Sequence, residues 1–213
     1  MSLSSRWLVR PTAVALVIAA GAIAQTGKDA KQGMPDIQLP PGWTAEDMQS
    51  CMEAATPGEH HQKLARLVGT WSGTSSMWMA PGMEPTVSQT TWTITSIMDG
   101  RFVKTDVTGD IPGMGPFVGS GIAGYDNVAK QYVSDWVDNC TTGIMRGTGE
   151  VSADGKKFTW TYNYHCPMTK KPATMREVMT LDGSSGMLVE MHGTDPKSGK
   201  EFKMMEMKLS KRS

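Results

Sequence analysis

The 213-residue chain has no surplus charge of either sign, with 21 basic side chains against 21 acidic ones. A nucleic-acid binder normally carries a basic excess to neutralise phosphates, so that partner class is not expected. Cysteine is scarce: there are three, and none is spaced as Cys-x-x-Cys. That removes a thioredoxin-like site and a zinc knuckle. The four histidines include no His-x-His and no His-Glu-x-x-His, so a zinc hydrolase has no support. No nucleophile elbow, phosphate loop, dinucleotide fingerprint or paired-carboxylate motif stands out. Hydrophobic residues make up 39%, enough for a real core, which excludes a disordered chain.

Long apolar runs are lacking too, which excludes a polytopic membrane protein. The uncharged stretch Thr12 to Ala24 is short for a spanning helix. It follows Arg6 and Arg10 and ends on Ala22-Ile23-Ala24, a small-x-small cleavage pattern. Residues 1–24 therefore read as a secretory signal peptide, with the mature chain starting at Gln25. The residue directly after the cleavage point is Gln25 and not Cys, so no lipid anchor is expected, and cleavage leaves no stable membrane anchor. Losing Arg6 and Arg10 from the 21 basic side chains leaves 19 against 21 acidic ones. The expected location is exported, periplasmic or extracellular, and oxidising. Cys51, Cys140 and Cys166 all remain, and an odd number leaves at least one thiol free or intermolecular.

What is abundant is methionine, with 18 residues against four Phe and four Tyr. Residues 25–43 form a leader rich in Gly, Pro, Lys and Gln. Two short helices are expected over 44–68. Thr44 caps the first, with Asp47 three residues on. Thr56-Pro57-Gly58-Glu59 starts the second, with Thr at N-cap, Pro at N1 and Glu at N3. From residue 69 to 213 the period changes to alternation. About ten strands are read: 70–79, 87–97, 102–109, 117–125, 131–138, 144–151, 157–164, 174–181, 187–193 and 201–210. Asp99-Gly100, Asp126-Asn127, Asp154-Gly155, Asp182-Gly183 and Ser198-Gly199 punctuate them. Short links imply sequential antiparallel pairing, and closure removes the two edges of so wide a sheet. The fold class is all-β: an antiparallel up-and-down barrel of about ten strands with a short helical N-terminal segment.

An ordered series of short motifs runs along this domain. It comprises His61-x-x-Leu64-x-x-Leu67-x-Gly69-Thr70-Trp71, Gly100-Arg101-Phe102, Gly124-Tyr125-Asp126-Asn127, Tyr132-Val133-Ser134-x-Trp136-x-Asp138 and Pro167-Met168-Thr169-x-Lys171-Pro172. With these the chain, from about Pro57 to Leu209, resembles the bacterial domain of unknown function family 1579. The resemblance implies a domain and no activity. The family's usual residues differ at Cys140 and Cys166. A wider resemblance is to the calycin barrels of lipocalins and fatty-acid-binding proteins. In those a helix precedes Gly-x-Trp, and a basic residue near the last strand packs over that Trp. Here that implies a structural role for Trp71, with Lys211 or Arg212 as its cover.

Candidate chemistry is sparse, and no catalytic residue is assigned. Lys104, Asp106, Arg146, Arg176, Glu177, Glu190 and Glu206 interrupt strand runs, and a few such groups would hold a polar head in a ligand barrel. Arg146 and Glu177 are the chosen polar contacts. Trp136, Trp160, Met179 and Met191 are the candidate walls, and His192 is a candidate ligand contact or, alternatively, an inward haem or metal ligand. Cys140 and Cys166 are a candidate disulfide, because the turn at Asp154-Gly155 brings residue 166 near residues 143–144. Gly113-Met114-Gly115-Pro116 reads as a flexible rim loop.

The expected function is non-enzymatic binding of a small apolar or amphipathic molecule inside the barrel, with no cofactor and no metal. A barrel of about ten strands is wider than one that side chains fill. Two alternatives stand beside it. One is an envelope interaction module with an exposed apolar patch near Ile111–Phe117. The other is Met-rich Cu(I) binding through pairs such as Met77/Met79 and Met205/Met207. The leader reading predicts that N-terminal sequencing of the protein recovered from the exported fraction starts at Gln25; a start at Met1 overturns it.

Overall fold

A computed structural model describes residues 39–212. The expected signal peptide and the leader up to residue 38 lie outside the described residues. The chain divides into two compact units, Met1–Thr56 and Pro57–Ser213. In the first, helix α1 spans Ala45–Ala55. Thr44 caps it: Asp47 N donates to Thr44 Oγ1 at 3.2 Å, and Thr44 N donates to Asp47 Oδ2 at 2.8 Å. Thr56 ends this helix, its hydroxyl donating to Met52 O at 2.6 Å, instead of starting the next one. Helix α2 therefore begins later than expected, at Glu59, with Gly58 at its N-cap. The His61 ring takes the cap's place, its Nδ1 accepting from Gly58 N at 3.0 Å.

The second unit contains α2 (Glu59–Ala65) and ten strands. They are β1 (Gly69–Met77), β2 (Thr86–Ile97), β3 (Phe102–Ile111), β4 (Gly115–Asp126), β5 (Gln131–Asp138), β6 (Met145–Val151), β7 (Lys157–His165), β8 (Pro172–Asp182), β9 (Gly186–Thr194) and β10 (Glu201–Lys211). Each pairs antiparallel with its neighbours in sequence, and β1 pairs with β10 from Trp71↔Lys211 to Met77↔Met205. The sheet is a closed, calycin-like barrel. The stretch expected as a rim loop is a tight β3–β4 turn, closed by Met114 N donating to Ile111 O at 2.9 Å.

Alternation sorts side chains between lumen and outside. In β7 the aromatic ladder Phe158, Trp160 and Tyr162 is buried inward. The Trp160 and Tyr162 rings lie over β6 because their partners there are glycines, Gly149↔Trp160 and Gly147↔Tyr162, while Phe158 pairs with Val151. A Cβ at Gly149 would sit 2.5 Å from the Trp160 ring, and one at Gly147 would sit 2.7 Å from the Tyr162 ring. In β10 apolar side chains occur at both odd and even positions, and the cause is a bulge between Lys203 and Met205. The bulge switches parity, so that Lys203 faces out beside Glu190 while Met205, Met207 and Leu209 face in.

Helix α2 covers one end of the barrel. Leu64 and Leu67 enter the core beside Trp71, whose Nε1 donates to Leu67 O at 2.8 Å. Lys211 Nζ lies 5.2 Å from the Trp71 ring centroid, a cation–π contact worth roughly 0.5–2 kcal/mol. Arg212, the other candidate cover, turns away and donates from Nε to Ser72 Oγ at 2.7 Å. Lys211 reaches the indole because Gly69, at φ +145°, has no Cβ where the lysine chain passes.

The Gly149 contact generates a test. Gly149→Ala is expected to destabilise the barrel by roughly 1–3 kcal/mol, since the buried Trp160 ring has nowhere to move. Gly143→Ala, with nothing within 4 Å of the added methyl, is expected to be near neutral. Chemical denaturation of both reads the difference; equal midpoints reject the close-packing account.

Candidate functional site

The inner faces change character along the barrel axis. Toward α2 most are sealed, with Phe158 and Val189 0% exposed, Ile94 1% and Met187 2%, while Tyr125, Val151 and Leu181 at that rim are half-buried. Toward the opposite end the inward side chains Phe117, Trp136, Met145, Met175, Met191 and Met205 are only half-buried. The loop tips at that end carry Met79, Met83, Met114 and Met168, each more than half exposed. Thioether side chains are unbranched and polarizable, so this mouth is apolar and adaptable. Met77, Met205 and Met191 stand side by side across β1, β10 and β9.

Glu177 stands at the next place in that row, opposite Met191 on β9 and Trp160 on β7. It faces inward between Met175 and Met179 and is 7% exposed. No described residue donates to its carboxyl or pairs with it, and burial pushes that carboxyl up to about 7. Its polar neighbour, the Tyr162 hydroxyl, is already engaged: it reaches over Gly147 to Ser134 Oγ at 3.1 Å. The Tyr162 phenol is raised well above its usual value, first by burial and then by the Glu177 charge. Among the described residues one fully buried side-chain nitrogen also lacks a hydrogen-bond partner, the indole Nε1 of Trp92 on the inner face of β2.

A chain of rings joins this region to the closed end. Trp160 meets Tyr132 edge-on at 6.4 Å, Tyr132 meets Tyr125 at 4.8 Å, and Tyr125 stacks on His60 of α2 at 3.9 Å. His60 Nδ1 and Tyr132 OH are 2.9 Å apart, and burial raises the Tyr132 phenol to about 12. His61 is held neutral by burial while its ring bonds the Tyr125 backbone. Both histidines therefore act in docking the helix.

The structure brings together Trp160, Glu177, Met179 and Met191 on neighbouring inner faces, with Trp136 half-buried on the inner face of β5. It separates two others from them. Arg146 faces out and pairs with Asp135 at 3.8 Å, because its strand turns Gly147 and Gly149 inward under the aromatic rings. His192 also faces out, between Arg176 and Lys203, because Met191 takes the inward place. An outer cleft of about 260 Å³ beside it is lined by Arg176 and Glu201 among others. The Cys140–Cys166 disulfide is not formed; Cys140 is free and exposed, Cys166 free and buried. Asn139 ties the β5–β6 turn to β4 through Val118 and Pro116, on the side away from Cys166.

Sequence reasoning missed Tyr162, Ser134 and Trp92. For Tyr162 and Ser134 the available signal was Gly147, which pairs with both; Trp92, between Trp71 and Val107, carried none. The patch expected near Ile111–Phe117 extends differently: exposed apolar side chains on the outer faces of β4 and β5 are Val118, Ile122, Val133 and Val137. The stretch Gly119-Ser120-Gly121-Ile122-Ala123-Gly124 has dinucleotide-loop spacing but lies inside β4, where its glycines make room for Trp136 and Phe102.

These features define an antiparallel calycin-like barrel capped by a helix at one end and lined with apolar side chains at the other. The family described as "Protein of unknown function (DUF1579)" matches residues 56–211, and the chain belongs to that family. No curated protein matches it in sequence. Among solved structures it is similar to Rv2717c from M. tuberculosis, with 15% identity and a TM-score of 0.54 over 74% of this chain and all (100%) of that one. It is also similar to the S-type phycobiliprotein lyase CPES from Guillardia theta, with 12% identity and a TM-score of 0.48 over 74% of this chain and 98% of that one. At these identities the likeness speaks to fold alone.

The unpaired carboxyl has a measurable consequence. Between the ordinary carboxyl value of 4.5 and about 7, folded Glu177 keeps a proton that the unfolded chain has released. Stability is therefore highest below that window, falls as pH rises through it by roughly 3 kcal/mol, and is level above it. His61, whose value is lowered, works in the opposite direction below its ordinary 6.5, so the comparison is made with Glu177→Gln. The variant is expected to lack the fall and to be more stable at pH 8 by denaturant titration. An identical pH profile in the variant rejects the placement of Glu177.

Proposed function

We propose that the barrel binds a small apolar or amphipathic molecule, without chemistry, through the end opposite α2. One observation carries this reading: the half-buried inward apolar side chains Phe117, Trp136, Met145, Met175, Met191 and Met205 gather at the end opposite α2, beneath loop tips that carry exposed methionines. Such a wall with very few polar groups is the pattern of a ligand site. The molecule enters among Met175, Met191, Met205 and Trp136 and reaches down toward Glu177. On this proposal binding takes place after export, as the leader-like residues 1–24 imply.

The uncharged probe Nile red tests the reading by fluorescence titration. Saturable binding near one per chain is expected. Met205→Trp, which fills the mouth, weakens it by roughly tenfold or more, about 1.4 kcal/mol. Val133→Trp, on the outer face, leaves it unchanged. Non-saturable binding, or equal binding by the Met205 variant, overturns the proposal.

A further inference from the structure

We infer that the molecule this barrel takes is a cationic amphiphile, an apolar body bearing a protonated amine that docks on the Glu177 carboxylate. The inference rests on the lumen being the binding site. Its own ground is a mismatch between Glu177 and its surroundings. The side chain is more than nine-tenths buried, faces the lumen, and has no donor or cation among the described residues. Buried charged groups are ordinarily paired, so a carboxyl held this way is one half of an interaction.

Among the described residues no cation of the inner wall reaches it. Around Glu177 stand Trp160, Met175, Met179, Val189 and Met191. The inward basic group at the closed end, Lys211, is spent on Trp71. At the mouth the inward ionisable residue is another acid, Asp138, which already accepts from Trp136 Nε1 at 3.0 Å. A carboxylate ligand would meet like charge at both depths, while an ammonium group would meet a single unpaired acceptor. The methionines and the Trp160 face add soft, electron-rich surfaces that suit a cation's apolar shoulder.

The orphaned Trp92 indole supports this independently. Strands β2 and β8 are separated by three strands one way round the barrel (β1, β10, β9) and by five the other way, so Trp92 and Glu177 belong to facing walls. A ligand with an amine at one point and a hydrogen-bond acceptor at another satisfies both groups.

Decylamine, decanol and decanoate, compared at pH 8 by calorimetry on the full mature chain, decide the matter. Decylamine is expected to bind roughly tenfold or more tightly than decanol, with decanoate weakest. Glu177→Gln and Glu177→Leu both remove that preference, so that decylamine and decanol bind each variant within about twofold of one another, whereas Val133→Trp on the outer face keeps it. Both variants are expected to fold, since each removes an unpaired buried carboxyl. Equal binding of amine and alcohol, or a preference that survives both variants, overturns the amine assignment and leaves lumen binding standing. Failure of all three probes to bind overturns lumen binding and the amine assignment with it.

Discussion

The pairing of the first strand with the last governs the rest of this structure. Trp71↔Lys211 through Met77↔Met205 joins β1 to β10 and turns an open meander into a cylinder. Once the ring is closed, the two-residue period of a strand leaves each side chain one of two destinations. Trp71, Ile94, Phe158 and Val189 go to a sealed interior. The same rule sends Glu177 inward with them, where no described residue pairs it. The seam is protected at its end by α2, by Lys211 over the indole, and by the absence of a Cβ at Gly69.

Closure has an asymmetric consequence, because α2 sits at one end of the barrel. His60 and His61 fasten α2 to Tyr125 and Tyr132 through a stack, a hydrogen bond and a backbone contact. That fastening drives Leu64 and Leu67 into the lumen and dries the lower half of the barrel. The upper half keeps methionines where a packed core would place branched or aromatic residues. Methionine tolerates changes of occupant because it loses little by adopting a new rotamer. The contrast between a dry floor and a soft mouth is the physical basis for reading the domain as a binder.

Much of the architecture was legible in the chain. Ten alternating segments separated by Asp–Gly and Asp–Asn turns specify ten hairpin-linked strands, because those signals are local. The strand ends moved by a few residues, chiefly at β3–β4, where Ile111 and Gly115 pair instead of forming a loop. Thr44 was read correctly as a cap, since its partner Asp47 is three residues away. Thr56 was not, because the His61 ring competes for the same role and ring orientation is invisible in a sequence. The Gly-x-Trp resemblance pointed to a basic cover for Trp71 but left two candidates, and only the path of the last strand chose Lys211 over Arg212.

The site divides along the same line. Composition and period placed aromatic and methionine side chains on strand faces, and neither needs long-range information. Which face becomes the lumen depends on contacts between distant strands. Arg146 and Glu177 look alike as charges inside strands, yet one pairs with Asp135 outside and the other is buried with no partner among the described residues. The reason is that Gly147 and Gly149 must lie beneath the β7 rings, which turns Arg146 out, while Met191 and Trp160 flank Glu177 inside. The chain alone determined that there would be a barrel of about ten strands with a soft, Met-rich wall. Folding decided which charge would be trapped within it, because inside and outside do not exist until the ring has closed.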